Sequence, residues 1–211
     1  MKILCFSLLF ILCIDTDAQL TTSNYISTQS ALNQYNDLLK GKEFIVFPEV
    51  REFPIHWSDS LQVSWLENDY RSRPFVLHAQ PGEYFVFQLG IWPIENDMND
   101  VQIQFSNLRN DQGETISSKE ITCFNKGGVN NQGHPFTKQI NLPSGQVQAL
   151  WMGINVPESA KGKYEGAVTI AANGVSSTIK IQLAVSGKVV ADHGFDEGRR
   201  LSRLAWLNSA D

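Results

Sequence analysis

The chain has 211 residues, with 17 Lys and Arg against 22 Asp and Glu and a formal net charge of −5. That balance argues against a nucleic-acid or anionic-membrane binder, which needs a basic face. Cys5 and Cys13 sit in an apolar N-terminal run and only Cys123 lies beyond it. A lone cysteine can make neither an internal disulfide nor a cysteine-based zinc site.

Residues 1–18 read as a secretory signal peptide. Lys2 precedes the apolar run Ile3–Ile14, and Asp15-Thr16-Asp17-Ala18 ends on a small residue before Gln19. The run is too short to cross a bilayer. A lipoprotein anchor at Cys13 is the rival reading, but it wants a small residue before the cysteine and finds Leu12. A secreted or periplasmic location is therefore expected, with no membrane span. Removal of Lys2, Asp15 and Asp17 moves the net charge from −5 to −4. An exported chain without disulfides must be held by its core, which suits a sizeable sandwich.

Residues 19–43 form a polar lead-in that admits one short helix. Ser27 or Thr28 would cap it, Leu32, Tyr35, Leu38 and Leu39 would share a face, and Gly41 would stop it. Residues 44–190 repeat one theme, short alternating runs cut by turn residues. After Phe44–Val50 come Leu61–Trp65, Pro74–His78, Tyr84–Ile91, Val101–Asn107, Ser118–Phe124, Thr137–Leu142, Ala149–Asn155, Tyr164–Ala171 and Ser176–Ser186. No long helical periodicity intervenes. The pattern predicts an all-β fold, an antiparallel β-sandwich of immunoglobulin or jelly-roll type, with the short helical lead-in before it.

The stretch Gln146–Ile170 is the most informative. Two alternating strands flank a loop containing Pro157 and Gly162, and they read as a pair. Asn173-Gly174 then marks a tight turn into a third strand, so three consecutive antiparallel strands are expected. Two entries echo each other, Pro81-Gly82-Glu83-Tyr84 and Lys161-Gly162-Lys163-Tyr164. In each, Gly would make the turn while Tyr packs its ring and keeps its hydroxyl in solvent.

Catalytic patterns are scarce. The acidic run Glu95–Asp100 has oxygen ligands a calcium ion would accept, but it lacks the Gly and closing Glu of an EF-hand loop and reads better as a solvated turn. His56, His78, His134 and His193 form no metal-binding pair, and neither a nucleophile elbow nor a phosphate loop is present. Cys123 reads as a small buried hydrophobe. No metal or cofactor is implied. Asp192, Asp196 and Glu197 are close enough in sequence to be weighed as acids for sugar hydrolysis, yet spacing alone does not bring them to one cleft.

Aromatic residues are the better lead. Trp57 and Trp92 lie beside loops and are the candidates for a carbohydrate platform, whereas Trp151 reads as core. Residues 191–211 read as a linker or docking segment. Leu201, Leu204, Trp206 and Leu207 would pack against the sandwich or against a downstream domain.

Several stretches carry a family resemblance. They are Pro81–Gly90, Thr122-Cys123-Phe124-Asn125-Lys126-Gly127-Gly128, Gln132–Lys138, Gln148–Pro157 and Arg200-Leu201-Ser202-Arg203-Leu204-Ala205-Trp206-Leu207-Asn208-Ser209. Together they resemble the N-terminal β-sandwich region of secreted Bacteroidetes proteins similar to glycoside hydrolase family 123. That resemblance implies a non-catalytic module that supports or positions a downstream domain in glycan degradation. The family's catalysis, hydrolysis of N-acetylhexosaminides assisted by the substrate's acetamido group, is placed on an Asp-Glu pair in a later barrel. No residue of this chain matches that pair, so the chain alone is not expected to be an enzyme. The alternative is a stand-alone carbohydrate-binding module using Trp57 and Trp92.

Overall fold

A computed structural model describes residues 25–194, apart from positions 69 and 71 and the side chain of Asp192. The signal-peptide reading and the docking residues Leu201, Leu204, Trp206 and Leu207 fall outside the described residues, as do Asp196 and Glu197.

The lead-in begins with strand β1 (Tyr25–Ser27), helix α1 (Thr28–Gln34) and helix α2 (Asn36–Leu39). Ser27 caps α1, its hydroxyl accepting from the Ser30 N–H at 3.1 Å, and Gly41 takes φ +73° just beyond α2. Strand β2 (Phe44–Val50) follows, then β3 (Ser60–Gln62), which pairs antiparallel with β1. The chain then turns helical as α3 (Val63–Glu67), so Leu61–Trp65 is not the single strand its alternation suggests. Tertiary contact decides the matter. The helical turn stacks Trp65 on Phe47, with centroids 4.3 Å apart and planes 14° from parallel, and lets its indole N–H donate to Glu49 Oε2 at 3.0 Å.

The remaining strands are β4 (Phe75–Ala79), β5 (Tyr84–Pro93), β6 (Gln102–Phe105), β7 (Leu108–Arg109), β8 (Thr115–Ile116), β9 (Ile121–Cys123), β10 (Gly127–Val129), β11 (Pro135–Thr137), β12 (Gln148–Asn155), β13 (Gly162–Ala172) and β14 (Val175–Val185). They build a two-layer sandwich. One sheet runs β2-β5-β12-β9; the other runs β4-β14-β13, with β6 and the β7–β8 pair along the free edge of β13. The expected all-β sandwich is what the chain forms. No helix among the described residues is long and apolar enough to cross a membrane.

Alternation sorts each strand between the layers. On β5, Phe85, Phe87, Leu89 and Ile91 enter the core between the sheets, joined by Leu150, Met152 and Ile154 of β12 and by Val168, Ile170, Ile179, Ile181 and Leu183 opposite. The other face of β2, β5 and β12 carries Phe47, Trp92 and Ala149, and it is covered by Ala31 and Leu39 of the lead-in together with Leu61 of β3 and Trp65 and Leu66 of α3. The lead-in is therefore not a solvated prelude. Its buried residues close one end of the outer face, while Leu38 stays exposed.

Three further expectations need correction. The strands flanking Pro157 are not a hairpin: β12 pairs with β5 and β9, whereas β13 pairs with β14 and β6. The intervening residues step from one sheet to the other, a gap of about 10 Å that a tight turn cannot bridge. The hairpin is instead β13–β14, closed by Asn173 at φ +53° and Gly174 at φ +80°. The strand expected over Thr137–Leu142 is also absent. The local hairpin is β10–β11, and Leu142 makes only an isolated bridge to Met98. In addition, β4 joins β14 in parallel, so the pairing is not uniformly antiparallel.

Candidate functional site

The lead-in leaves open the far end of the outer face of the β2-β5-β12-β9 sheet. Register defines what lies there. Tyr84 of β5 stands opposite Asn155 of β12, Val86 opposite Gly153, and Gln88 opposite Trp151. On the other side Gly153 stands opposite Thr122 of β9. Opposed residues of an antiparallel pair project to the same side, so these groups share one surface.

Gly153 shapes that surface. A Cβ there would lie 2.5 Å from Tyr84 Oη and 2.6 Å from its Cε1, so the tyrosine ring lies across the glycine. The ring continues toward Phe124, with centroids 6.1 Å apart and planes 50° from parallel. Phe124 is 44% exposed, and Tyr84 and Trp151 are half-buried. Beside the rings, Asn155 Nδ2 donates to Glu120 Oε2 at 2.8 Å. The result is a shallow shelf of aromatic rings edged by an amide, a carboxylate and the Thr122 hydroxyl.

Asn125 fixes one border of the shelf. Beyond Cys123 the β9 strand gives way to a 3-10 turn over Phe124–Lys126, and Asn125 replaces it on the β12 edge. Its Nδ2 donates to Ala149 O at 3.1 Å and its Oδ1 accepts from Trp151 N at 2.8 Å. The Cys-Phe-Asn motif is thus a side-chain clamp on a sheet edge, with Phe124 turned to solvent by it.

The loop between β2 and β3 forms the opposite border, held by the fully buried Gln88. Gln88 Oε1 accepts from Ile55 N at 2.8 Å, and its Nε2 donates to Val50 O at 2.9 Å and Phe53 O at 3.3 Å. Phe53 and Trp57 project from this loop, 64% and 60% exposed. The Trp57 indole N–H donates to Gln146 Oε1, which holds the ring beside the start of β12.

Of the two tryptophans expected to form a platform, Trp57 has the required exposure and Trp92 does not. Trp92 is 0% exposed, its ring sealed under the lead-in with Ala31, Leu39 and Val147. Trp92 is core. The partly exposed Trp151 lies on the shelf and is not wholly core. In the sequence Tyr84 stands out only as a turn-entry residue and Phe124 only as part of a motif; Gly153, interrupting a bulky strand, was the signal that a ring approaches the backbone there.

The other candidate chemistry is structural. Asp97 Oδ1 accepts from Ser144 N at 2.8 Å and its backbone carbonyl accepts from Asn173 at 2.8 Å, so the acidic run pins neighbouring turns. No group of three or more metal-ligating side chains occurs among the described residues. Burial pushes the Cys123 thiol up to about 11, which keeps it protonated at neutral pH and poorly nucleophilic. The two echoed tyrosines diverge. Tyr84 lies on the outer face, whereas Tyr164 is buried, its hydroxyl donating to Glu114 Oε2 at 2.9 Å and accepting from Lys161 N at 3.3 Å. Buried Glu83 accepts from Arg51 at 3.2 Å and Gln80 N at 2.9 Å, tying the turn before β5 to the end of β2.

Fold and surface together define a two-layer β-sandwich module with an open aromatic sheet face. No protein-family model and no curated protein matches the chain. Among solved structures, it is similar to part of a family 123 glycoside hydrolase from Clostridium perfringens, solved in a study of glycolipid glycan hydrolysis. The TM-score is 0.51 and the identity 21%, and the match covers 71% of this chain and 28% of that one. The chain therefore spans under a third of the hydrolase's length, and the likeness establishes a shared fold. A PapD-like domain of human CEP192 matches at TM-score 0.35 and 14% identity over 56% of this chain and 83% of that one. An endo-fucoidan hydrolase of glycoside hydrolase family 107 matches at TM-score 0.30 and 12% identity over 56% and 13%. Both are too distant to bear on function.

Proposed function

We propose that the chain is a non-catalytic β-sandwich module of an exported, glycan-degrading protein, and that it supports or positions a downstream domain. One observation carries the reading: the sandwich has the fold of a minor portion of a family 123 glycoside hydrolase. The segment Leu201–Leu207 would make the contact with that domain, and residues 1–18 would direct export. The test is hydrogen exchange on this chain, alone and with downstream coding sequence restored. Protection of Leu201–Leu207 appearing only in the longer protein supports the role, and full protection in this chain alone overturns it. Turnover of chromogenic N-acetylhexosaminides by this chain alone would overturn the non-catalytic part.

A second reading, a stand-alone carbohydrate-binding module, is favoured by the exposure of Trp57. It predicts glycan-dependent quenching of tryptophan fluorescence that Trp57→Ala abolishes. Silence across a glycan array would remove it.

A further inference from the structure

We infer that the outer sheet face around Tyr84, Phe124 and Trp151 is a binding surface for a neutral glycan chain. The rings would stack on pyranose C–H faces, and the Asn155–Glu120 pair would take hydroxyls. This inference rests on the glycan-related readings above and moves their site from the Trp57 loop to the sheet.

Three features carry it. First, the rings are presented and not buried. Gly153 lacks the side chain that would lift Tyr84 off the sheet, and the Asn125 clamp turns Phe124 outward to meet it. An aromatic ring lying along a sheet offers an apolar face of fixed orientation at low entropic cost. Second, polar groups stand beside the rings, where a sugar's hydroxyl rim would fall. The Asn155–Glu120 hydrogen bond uses one amide proton and one carboxylate oxygen; Asn155 Oδ1 and Glu120 Oε1 have no partner among the described residues. A preoriented amide–carboxylate pair can accept from adjacent hydroxyls, with no reordering on binding. Third, the charge selects among glycans. Glu120 stands beside the rings, so a uronate or sulfate set against its carboxylate would meet repulsion while a neutral sugar would not. From Trp151 to Asn155 the face runs about 13 Å along the strand, longer than one pyranose ring.

The experiment titrates the exported chain with neutral gluco-, galacto- and manno-configured tetrasaccharides, their N-acetylated counterparts and a uronate-bearing tetrasaccharide. Binding is mapped by amide chemical shifts. A neutral sugar should shift residues 84, 120, 124, 151 and 155, and the uronate should not bind. Phe124→Ala should weaken binding about tenfold, Phe124→Trp should retain it, and Glu120→Gln should weaken it while admitting the uronate. Circular dichroism of each variant checks the fold. Binding that is lost with Trp57→Ala but indifferent to Phe124→Ala overturns this surface and leaves the carbohydrate-binding reading standing. Silence toward every sugar overturns both, and the domain-supporting role keeps its own hydrogen-exchange test.

Discussion

Tyr84 lies across Gly153, its Oη 2.5 Å from where a Cβ would stand. Gly153→Ala must therefore displace the ring, and a loss of about 1–3 kcal/mol is expected. In a Tyr84→Ala background the same change should cost little, because the obstructing ring is gone. A double-mutant cycle by urea unfolding measures the difference. Gly90 offers a comparison. A Cβ there would lie 2.1 Å from the buried Phe47 ring, itself stacked on Trp65. Gly90→Ala should be the more damaging substitution, since Phe47 has no solvent to swing into.

Gln88 holds the Trp57 loop by three hydrogen bonds from a fully buried position. Gln88→Leu keeps the side chain's bulk but strands the Ile55 N–H and two carbonyls. A loss of about 2–3 kcal/mol is expected, the cost of buried groups left unpaired. Amide exchange over residues 50–57 should accelerate more than exchange in β13. Equal acceleration everywhere would mean that Gln88 supports the whole sheet and not the loop.

Gln88 lies beyond what strand alternation discloses. The alternation of β5, β12, β13 and β14 was legible because both sheet faces leave their period in the chain, and Asn173-Gly174 announced a turn with its own backbone requirement. Partner choice was not legible. An alternating strand does not say which sheet it joins, so β12 and β13 looked like a hairpin when they face each other across the core. Trp57 and Trp92 have similar loop-side positions, and the lead-in, folding back from more than fifty residues away, buries one and not the other. Gln88 reads as a solvent-facing position on its strand until the loop is seen to cover it.

The Cys123 thiol gives a pH signature. Burial raises it from the ordinary 9.0 to about 11, so the folded chain holds this proton more tightly than the unfolded chain. Its contribution is fully present below about pH 9 and is lost as pH rises through about 11. The loss is on the order of 2–3 kcal/mol at most. Unfolding free energies of wild type and Cys123→Ala should diverge below pH 9 and converge toward pH 11. Thiol reagents at pH 8 should label the unfolded chain and spare the native one. Rapid labelling of the native protein would show that the thiol is open to solvent.

Asn125 supplies one donor and one acceptor to the β12 edge, and the two can be separated. Asn125→Asp keeps the acceptor for Trp151 N but sets a carboxylate oxygen against Ala149 O. The new acid should therefore have a raised folded-state pKa. Its penalty is then relieved as pH falls and complete above the folded value. Asn125→Asp should be about 1–3 kcal/mol less stable than wild type at pH 7 and approach it near pH 4. Asn125→Ala loses both bonds and should show a deficit of similar size with no pH dependence of its own. A flat profile for Asn125→Asp would mean that water, not the β12 carbonyl, faces that oxygen, and that the sheet edge is more open than the clamp implies.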